Sequence, residues 1–379
     1  MQKFCFLFIF VLILVGCNSE TKKNTTTVSE EKIATTVTYA NGFTVQQQDA
    51  YKVITLTNPW PGADKQFTYA LVDDKSVLPA SETFDAVINI PVETIVVTST
   101  THIPSLEMLQ VSESLIGFPN LDYISSEATR KLISDGNVKE LGKNEDINTE
   151  VLIELDPDVV VGFAVDGNNT TFSTIQKTGI PVVYNADWTE THPLGKAEWI
   201  KFFGLLFGKE QQADSIFNTI ETEYRTAKKI AKNATTQPTV LSGAMYKDVW
   251  YLPQGDSWAA QFIADANGNY LWSDTEGTGS ISANLEAVLD KGQDADYWIG
   301  PGQFTSLKQL QEAHSVYAQF NAFQQQKVFS FTNKKGPNGG VLYYELAPNR
   351  PDIVLKDIIK ILHPNLLPDH NLYFFSTLE

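Results

Sequence analysis

The sequence predicts an α/β protein: two series of mainly parallel strands flanked by helices, a single long helix between the two series, and a small N-terminal β meander. From residue 91 onward, short apolar runs alternate with helical patterns, which is typical of parallel sheets covered by helices. Residues 209–233 carry one apolar stripe at steps of three and four. At ~150 residues per domain, 379 residues make two to three domains.

The N-terminus predicts export and a lipid anchor. Residues 1–16 combine a basic start with an apolar run too short to span a bilayer, which is typical of a signal peptide. The run ends Leu14-Val15-Gly16-Cys17, which resembles the lipobox of bacterial lipoproteins and implies acylation of Cys17. Cys5 falls within the signal peptide, so Cys17 has no disulfide partner. We expect a protein lipid-anchored at the bacterial cell envelope, facing the periplasm or the outer surface.

Residues 17–34 and residues 35–90 differ in composition. The first stretch is rich in Ser, Thr, Lys and Glu and poor in large apolar residues, which is typical of a flexible tether. The second contains the β-branched and aromatic runs 52–56 and 66–72, separated by the turn sequence Asn-Pro-Trp-Pro-Gly. We therefore expect a small antiparallel meander at 35–90.

The two α/β series are expected at 91–208 and 234–364. In the first, buried strands are predicted at 94–98, 115–118, 159–163 and 180–184; in the second, at 239–242, 249–252, 297–300 and 327–331. Between them, residues 209–233 would form a rod of ~35 Å at 1.5 Å per residue, long enough to span two lobes. Residues 365–379 follow as a C-terminal tail.

Composition limits the partners. The net charge is −17, with 28 basic against 45 acidic residues, so nucleic acid and anionic membrane surfaces are excluded as partners. The aromatic residues, 22 Phe, 14 Tyr and 7 Trp, supply the surface for ligand contact instead. The three arginines are Arg130, Arg225 and Arg350.

Catalytic motifs are absent from the sequence. It contains no phosphate-binding glycine loop, no nucleophile elbow and no zinc-protease helix, and its five histidines show no metal-ligand spacing. We therefore predict neither an enzyme nor a cofactor or metal site. Two alternatives stay open. One is a lipid-anchored cleft enzyme of hydrolytic activity, with or without a metal, that uses His102, His192 and neighbouring carboxylates. The other is an adhesion or assembly lipoprotein whose working surface is the meander.

One stretch carries a family pattern. Asn148-Thr149-Glu150, an apolar helix, Pro157-Asp158 and the apolar strand Val159-Val160-Val161 resemble the signature of the binding proteins of ABC importers for ferric siderophores, haem and cobalamin. In the second half, 282–289 and 296–299 echo it, although Lys291-Gly292-Gln293 departs from the pattern. The resemblance covers about residues 91–364.

The resemblance implies two lobes joined by a single long helix, with little hinge motion and the ligand in the cleft between them. It also implies a monomer that delivers a metal chelate to an ABC importer permease and its ATPase. Glu150 and Glu286 match the two lobe-tip carboxylates that pair with permease arginines, where one carboxylate per lobe fixes the orientation of docking. Their alternative role is to stabilise the first turn of a helix.

The loops that follow the predicted strands supply the ligand-binding candidates, since ligands bind at the carboxyl ends of strands in open α/β sheets. They are Thr101, His102, Tyr123, Phe163, Trp188, Met245, Tyr246, Trp250, Thr278, Asn333 and Gly339. His102 has two interpretations, a ligand to a chelated metal or an internally satisfied loop histidine. Because arginine is scarce, we expect a weakly charged chelate: a hydroxamate siderophore, cobalamin or haem.

Overall fold

The computed structural model describes residues 35–167 and 169–379. The predicted signal peptide, Cys17 and the tether at 17–34 lie outside the described residues. Among the helices that are described, none has the length and the apolar character needed to cross a bilayer.

The N-terminal strands form one four-stranded sheet in the order β1-β2-β3-β4. Its strands are β1 (Phe43–Gln47), β2 (Tyr51–Leu56), β3 (Phe67–Val72) and β4 (Ala86–Asn89). The first three pair antiparallel as expected, but β4 pairs parallel to β3. The expectation of a wholly antiparallel meander is therefore wrong for β4, because residues 73–85 return the chain to the end where β3 begins. The sheet packs on the rest of the protein, and Tyr69 accepts a hydrogen bond at its hydroxyl from the amide of Tyr184 (3.0 Å).

The segment before β1 is held by two buried carboxylates. Glu198 accepts hydrogen bonds from the backbone amides of Thr38, Tyr39 and Ala40 at 2.6–3.0 Å. Glu190 accepts from the amides of Asn41 and Gly42 at 2.8–3.0 Å. Removing either carboxylate would leave buried amide donors without partners, which costs about 1–3 kcal/mol per group.

The first lobe is built on a parallel sheet in the order β11-β10-β5-β6-β7. Its strands are β5 (Ile95–Val97), β6 (Leu115–Phe118), β7 (Lys139–Glu140), β10 (Val159–Gly162) and β11 (Val182–Tyr184), and β8 (Gly142–Lys143) pairs with β9 (Asp146–Ile147) beside it. Its helices are α1 (Ile103–Met108), α2 (Glu127–Ser134), α3 (Thr149–Leu155), α4 (Thr170–Lys177), α5 (Pro193–Glu198) and α6 (Ile200–Leu206).

The second lobe has a sheet of its own in the order β15-β12-β17-β18-β19. Its strands are β12 (Thr239–Ser242), β15 (Asn269–Tyr270), β17 (Tyr297–Ile299), β18 (Val328–Ser330) and β19 (Ser376–Thr377); β13 (Ala244–Tyr246), β14 (Val249–Pro253) and β16 (Ser280–Ala283) form a separate antiparallel sheet. Its helices are α8 (Trp258–Asp265), α9 (Leu285–Gly292), α10 (Leu307–Ala313), α11 (Asn321–Gln324), α12 (Leu342–Leu346) and α13 (Pro351–Leu362). The residues predicted as a tail, 365–379, thus contribute β19 to the sheet, paired antiparallel to β18.

Helix α7 (Glu210–Ala231) lies between the two series, close to the predicted bounds. Its buried stripe consists of Ala213, Phe217, Ile220, Tyr224, Ala227 and Ala231. This stripe packs on α6 of the first lobe and α13 of the second. In the described residues each five-stranded sheet takes its strands from one side of α7 alone, so the α/β fold with two lobes and a single long helix between them is confirmed.

Candidate functional site at the interlobe cleft

The carboxyl ends of β5, β6 and β10 open onto a cavity between the lobes. Its volume is about 550 Å³. The first lobe contributes Thr98, Ser99, Thr100, Phe118, Pro119, Asn120, Tyr123, Lys143, Asn144, Glu145 and Phe163, and the second contributes Gly340, Val341, Tyr344 and Glu345. We call this the tyrosine cavity, because Tyr123 (65% exposed) and Tyr344 (49% exposed) leave large ring surfaces uncovered, one on each lobe. A flat or lipophilic ligand would bury these surfaces.

The polar groups of the tyrosine cavity are mostly uncharged. Hydroxyl groups come from the loop after β5, and the amide oxygen Oδ1 of Asn144 is buried without a hydrogen-bond partner. A buried acceptor without a partner favours a ligand that brings a hydrogen-bond donor. Because one lysine, Lys143, and two glutamates, Glu145 and Glu345, line the cavity, the wall carries no excess of positive charge for a polyanionic ligand.

All three arginines are engaged away from this cavity. Arg130 donates to the carbonyl of Leu121 (2.6 Å), and Arg350 forms a bidentate pair with Asp352 (2.8 and 2.9 Å). Arg225 pairs with Glu221 on the exposed face of α7 (2.8 Å). The bidentate grip that arginine provides for carboxylates is therefore missing from the cavity wall.

A second cavity of about 510 Å³ follows the end of β11. Three tryptophans from different parts of the chain line it: Trp60 of the N-terminal sheet, Trp188 of the first lobe and Trp258 of the second. The buried ammonium of Lys196 also lines it, donating to the carbonyls of Asp187 and Trp188 (3.0 and 3.1 Å). Burial lowers the pKa of Lys196. We call this the tryptophan cavity.

Residues 334–346, which we call the strap, run from the second lobe onto the first. The strap folds back on itself through a bridge between Lys335 and Val341, and it ends in α12. Glu345 of α12 accepts hydrogen bonds from the amides of Ser125 (2.6 Å) and Ser126 (2.9 Å) at the start of α2. A third cavity, of about 600 Å³, is lined by Lys335, Gly336 and Pro337 of the strap and shares Glu345 with the tyrosine cavity.

The structure brings the predicted ligand-binding residues together in two groups. Tyr123 and Phe163 line the tyrosine cavity, and Gly339 precedes its lining residue Gly340 in the strap. Trp188 and Thr278 line the tryptophan cavity. Thr101 lies beside the first group, but its hydroxyl pairs with the hydroxyl of Ser99 (2.9 Å).

Trp250 lies in the core and not at the cleft surface. Its side chain has no exposed area, and its ring packs against the aromatic rings of Trp298, Tyr317 and Phe320. The cause is the alternation of β14, which turns Trp250 inward and its neighbour Tyr251 outward. Trp250 is thus unavailable to a ligand in this structure.

His102 is also internal, at 1% exposure. Neither ring nitrogen has a hydrogen-bond partner, and the ring packs on Phe203 of α6 (5.5 Å between centroids). Burial lowers the pKa of His102 to about 4. The second histidine of the enzyme alternative, His192, accepts at Nδ1 from the amide of Leu194 (3.1 Å) at the start of α5. Neither histidine lines the tyrosine cavity, and the described residues hold no cluster of His, Cys, Asp or Glu suited to a metal ion.

The remaining second-lobe candidates are dispersed. Met245 and Tyr246 lie on β13, and Tyr246 is highly exposed but lines neither the tyrosine nor the tryptophan cavity. Asn333 donates its side-chain amide to the carbonyl of Thr305 (3.3 Å) and to the hydroxyl of Ser376 (3.1 Å). Asn333 therefore supports the loop after β18.

Glu150 and Glu286 occupy matching positions in the two lobes. Each is the second residue of a helix whose N-cap is an asparagine: Asn148 accepts from the amide of Val151 (3.2 Å), and Asn284 from the amide of Ala287 (2.8 Å). Both carboxylates are exposed, and neither forms an ion pair within residues 35–167 and 169–379. They are free to meet a cationic partner.

Sequence reasoning missed the strap side of the cavity. Val341, Tyr344 and Glu345 follow two consecutive glycines, Gly339 and Gly340, in the loop after β18. An aromatic pair directly after a glycine loop at a strand end is the signal that could have identified Tyr344. Sequence reasoning also missed Asn144, which reaches the cavity because it lies in the short turn between β8 and β9.

Comparison with known proteins agrees with this architecture. The sequence of residues 95–334 matches the periplasmic binding protein family. An uncharacterized lipoprotein of Methanocaldococcus jannaschii is 27% identical over 298 residues, which cover 76% of this chain and 69% of the relative.

Two solved structures show the same fold. The periplasmic haem-binding protein of Vibrio cholerae superposes with a TM-score of 0.54 at 16% identity, covering 69% of this chain and 99% of that one. An ABC-type Fe³⁺-hydroxamate transport protein of Saccharomonospora viridis superposes with a TM-score of 0.52 at 16% identity, covering 72% and 94%. With a family match over more than half of its length and the two-lobed architecture described above, the chain belongs to the periplasmic binding protein family.

Proposed function

We propose that this protein is the lipid-anchored substrate-binding component of an ABC importer. It captures a metal chelate in the tyrosine cavity and delivers the chelate to the permease. The observation that carries the proposal is the cavity itself, which lies at three parallel strand ends and presents an exposed tyrosine from each lobe. Binding sites in open α/β sheets occupy this position.

The ligand class follows from the chemistry of the wall. Aromatic faces, hydroxyl groups and the unpartnered Oδ1 of Asn144 suit a weakly charged chelate with hydrogen-bond donors, and no arginine lines the cavity. A hydroxamate siderophore, cobalamin or haem fits this description. The similarity to a haem-binding protein and to an Fe³⁺-hydroxamate transport protein supports the same range of ligands.

Delivery would use Glu150 and Glu286. The two carboxylates stand on matched helix starts, one in each lobe, so arginines of a permease could engage both at once. Such charge-assisted contacts set orientation and association rate as well as affinity.

Attachment to the envelope would use Cys17. The lipobox-like sequence supports it, and the relative in Methanocaldococcus jannaschii is itself described as a lipoprotein. Mass spectrometry of the protein extracted from membranes tests this directly: we expect an N-terminal peptide that begins with acylated Cys17. An unmodified N-terminal peptide would remove the anchor from the proposal.

A titration tests the binding function. The detergent-extracted protein is titrated with a ferric trihydroxamate, with cyanocobalamin and with haemin, and quenching of its intrinsic fluorescence is followed. We expect saturable binding of one of the three, weakened by Tyr123→Ala but not by Tyr251→Ala, an exposed tyrosine outside the cavity. No binding by any of them, together with hydrolytic turnover of model esters, would favour the cleft enzyme instead.

A further inference from the structure

We propose that Glu345 is a positioning residue of the chelate site: it holds the strap against the first lobe and so fixes the spacing between Tyr123 and Tyr344. The inference rests on the proposed function, because it assigns a role in chelate binding to a contact between the lobes.

The strap is the part of the second lobe that meets the first lobe at the end of β6. Asn338 donates to the carboxylate of Asp122 (2.7 Å), and a Cβ atom added at Gly340 would lie 2.7 Å from the carbonyl oxygen of Tyr123. A Cβ added at Gly336 would lie 2.5 Å from Cα of Ser125. The two glycines therefore allow backbone to approach backbone, which a larger residue would prevent.

Glu345 makes the most buried polar contact of this interface. It is 2% exposed, and its two oxygens accept from two consecutive backbone amides, those of Ser125 and Ser126. Its neighbour in sequence, Tyr344, extends into the tyrosine cavity, while Ser125 follows Tyr123 by two residues. The carboxylate thus connects the backbone segments that carry the two exposed tyrosines.

Removing this carboxylate should separate the two walls of the cavity. The amides of Ser125 and Ser126 would lose their buried acceptors, and such groups regain hydrogen bonds only by moving toward water. The movement would carry Tyr123 away from Tyr344. Because a preformed site loses affinity when its walls must be ordered during binding, chelate affinity should fall even though Glu345 is not required to touch the chelate.

The charge state of Glu345 supports a pH dependence of this contact. Burial, together with the nearby carboxylate of Glu107, raises the pKa of Glu345 to about 7, although the amides of Ser125 and Ser126 act in the opposite direction. Because burial under the attached strap raises this pKa, the carboxyl group binds its proton more tightly in the attached state. Acid therefore favours attachment, and this benefit is lost as pH rises toward 7. The other charged or titratable groups that line the two cavities touching Glu345 are Glu107, Glu127, Lys335 and Tyr373 on one side and Tyr123, Lys143, Glu145 and Tyr344 on the other.

The test combines removal of Glu345 with a second change that separates the same two surfaces. A Cβ atom at Gly336 would lie 2.5 Å from Cα of Ser125, so Gly336→Ala should push the strap away from the first lobe. Gly336 does not line the tyrosine cavity, and this variant leaves Glu345 in place.

We expect Glu345→Ala to lower the affinity of the full-length protein for the bound probe, whether ferric trihydroxamate, cyanocobalamin or haemin, by tenfold or more. Gly336→Ala should lower the affinity for the same probe as well, although it leaves Glu345 in place. Glu345→Gln, which keeps one of the two acceptor oxygens but cannot ionise, should lose less affinity than Glu345→Ala and should flatten the pH profile of the affinity between pH 5 and 8. Unchanged affinity in Glu345→Ala, or in Gly336→Ala, would overturn the proposal.

Glu107→Ala is the matched control. Its carboxylate also serves the start of α2, through the hydroxyls of Ser126 and Thr129, but it belongs to the first lobe and does not join the lobes. We expect the affinity of Glu107→Ala for the bound probe to stay within threefold of the wild-type affinity. A loss equal to that of Glu345→Ala would show that the start of α2 matters and the interlobe contact does not.

Hydrogen exchange separates this proposal from the proposed function. The amides of Ser125 and Ser126 should exchange at least tenfold faster in Glu345→Ala than in the wild type, with or without a chelate, and equal rates would overturn the strap assignment. If the wild type binds none of the three probes, the proposed function fails and the role of Glu345 in binding fails with it, while the exchange rates still decide whether Glu345 holds the strap.

Discussion

Two aromatic regions of the molecule contain similar residues: one around Trp250 is buried in the core, and one around Tyr344 is exposed at the cleft. Around Trp250, the rings of Trp298, Tyr317 and Phe320 pack at 5.4–5.5 Å between centroids with no access to solvent. At the cleft, Tyr344 leaves half of its surface exposed, across from Tyr123. The difference teaches that an aromatic residue near a strand end contributes to stability or to binding according to the element that follows the strand.

The largest effect of a single substitution is expected in the buried aromatic cluster around Trp250, where it should act on stability. Trp250→Ala should lower the free energy of unfolding by about 3–5 kcal/mol, because it removes a fully buried ring and leaves a cavity. Urea denaturation measures the change, and Tyr251→Ala on the outward face of β14 is the control, with an expected loss below about 1 kcal/mol. The affinity of the folded fraction for the chelate should not change, and a specific loss of affinity would return Trp250 to the binding site.

At the cleft, the same kind of truncation should act on binding. Tyr123→Ala and Tyr344→Ala should each weaken chelate binding by about 1–3 kcal/mol, since each removes an aromatic contact from the centre of the cavity. Their free energies of unfolding should change by less than about 0.5 kcal/mol because both side chains are exposed. Fluorescence titration and urea denaturation on the same preparations separate the two quantities. If either variant lost stability but kept its affinity for the chelate, the contrast between the cleft and the core would not hold.

A substitution of His102 tests whether this residue belongs to the protein interior or to the chelate site. Because burial lowers its pKa from 6.5 to about 4, the folded state disfavours the charged imidazolium. Its contribution to stability is therefore present above pH 6.5 and is lost as pH falls toward 4, by up to about 2 kcal/mol at pH 5. His102→Leu should flatten this part of the stability profile, measured by denaturation from pH 4.5 to 8, and leave chelate affinity unchanged. If the variant no longer binds a chelate, His102 acts as a metal ligand.

The smallest effect on the protein itself is expected at the lobe tips. Glu150→Ala and Glu286→Ala should alter unfolding by less than about 0.5 kcal/mol and leave chelate affinity intact, because both side chains are exposed. Uptake of the chelate by cells should nevertheless be lost, since docking would lack its two charged contacts. The control is Glu154→Ala, which changes an exposed glutamate on the same helix as Glu150. Cells that carry this variant should take up the chelate normally. Continued uptake by the double variant Glu150→Ala with Glu286→Ala would contradict the docking role.

Most of the fold could be predicted because its elements have strong local signals. The stripe of α7 and the strand Val159–Gly162 after Pro157-Asp158 depend on periodicity and turn chemistry that a sequence displays directly. The parallel pairing of β4 could not be predicted, since strand direction depends on where residues 73–85 carry the chain.

The candidate site could be predicted only in part. Tyr123, Phe163 and Trp188 follow strands whose ends meet at one edge, so topology alone places them near the cleft. Trp250 lies within a strand, β14, which pairs in a separate antiparallel sheet, and the alternation of this strand could have been assigned either way. The strap escaped prediction because the contact of Glu345 with Ser125 joins residues 220 positions apart.

Hydrogen bonds from the amides of residues 38–42 to Glu190 and Glu198 fix this early part of the described chain to α5 and to the loop before it. If Cys17 carries the proposed lipid, a pull along the chain would meet these two carboxylates before it reached the strands that border the tyrosine cavity.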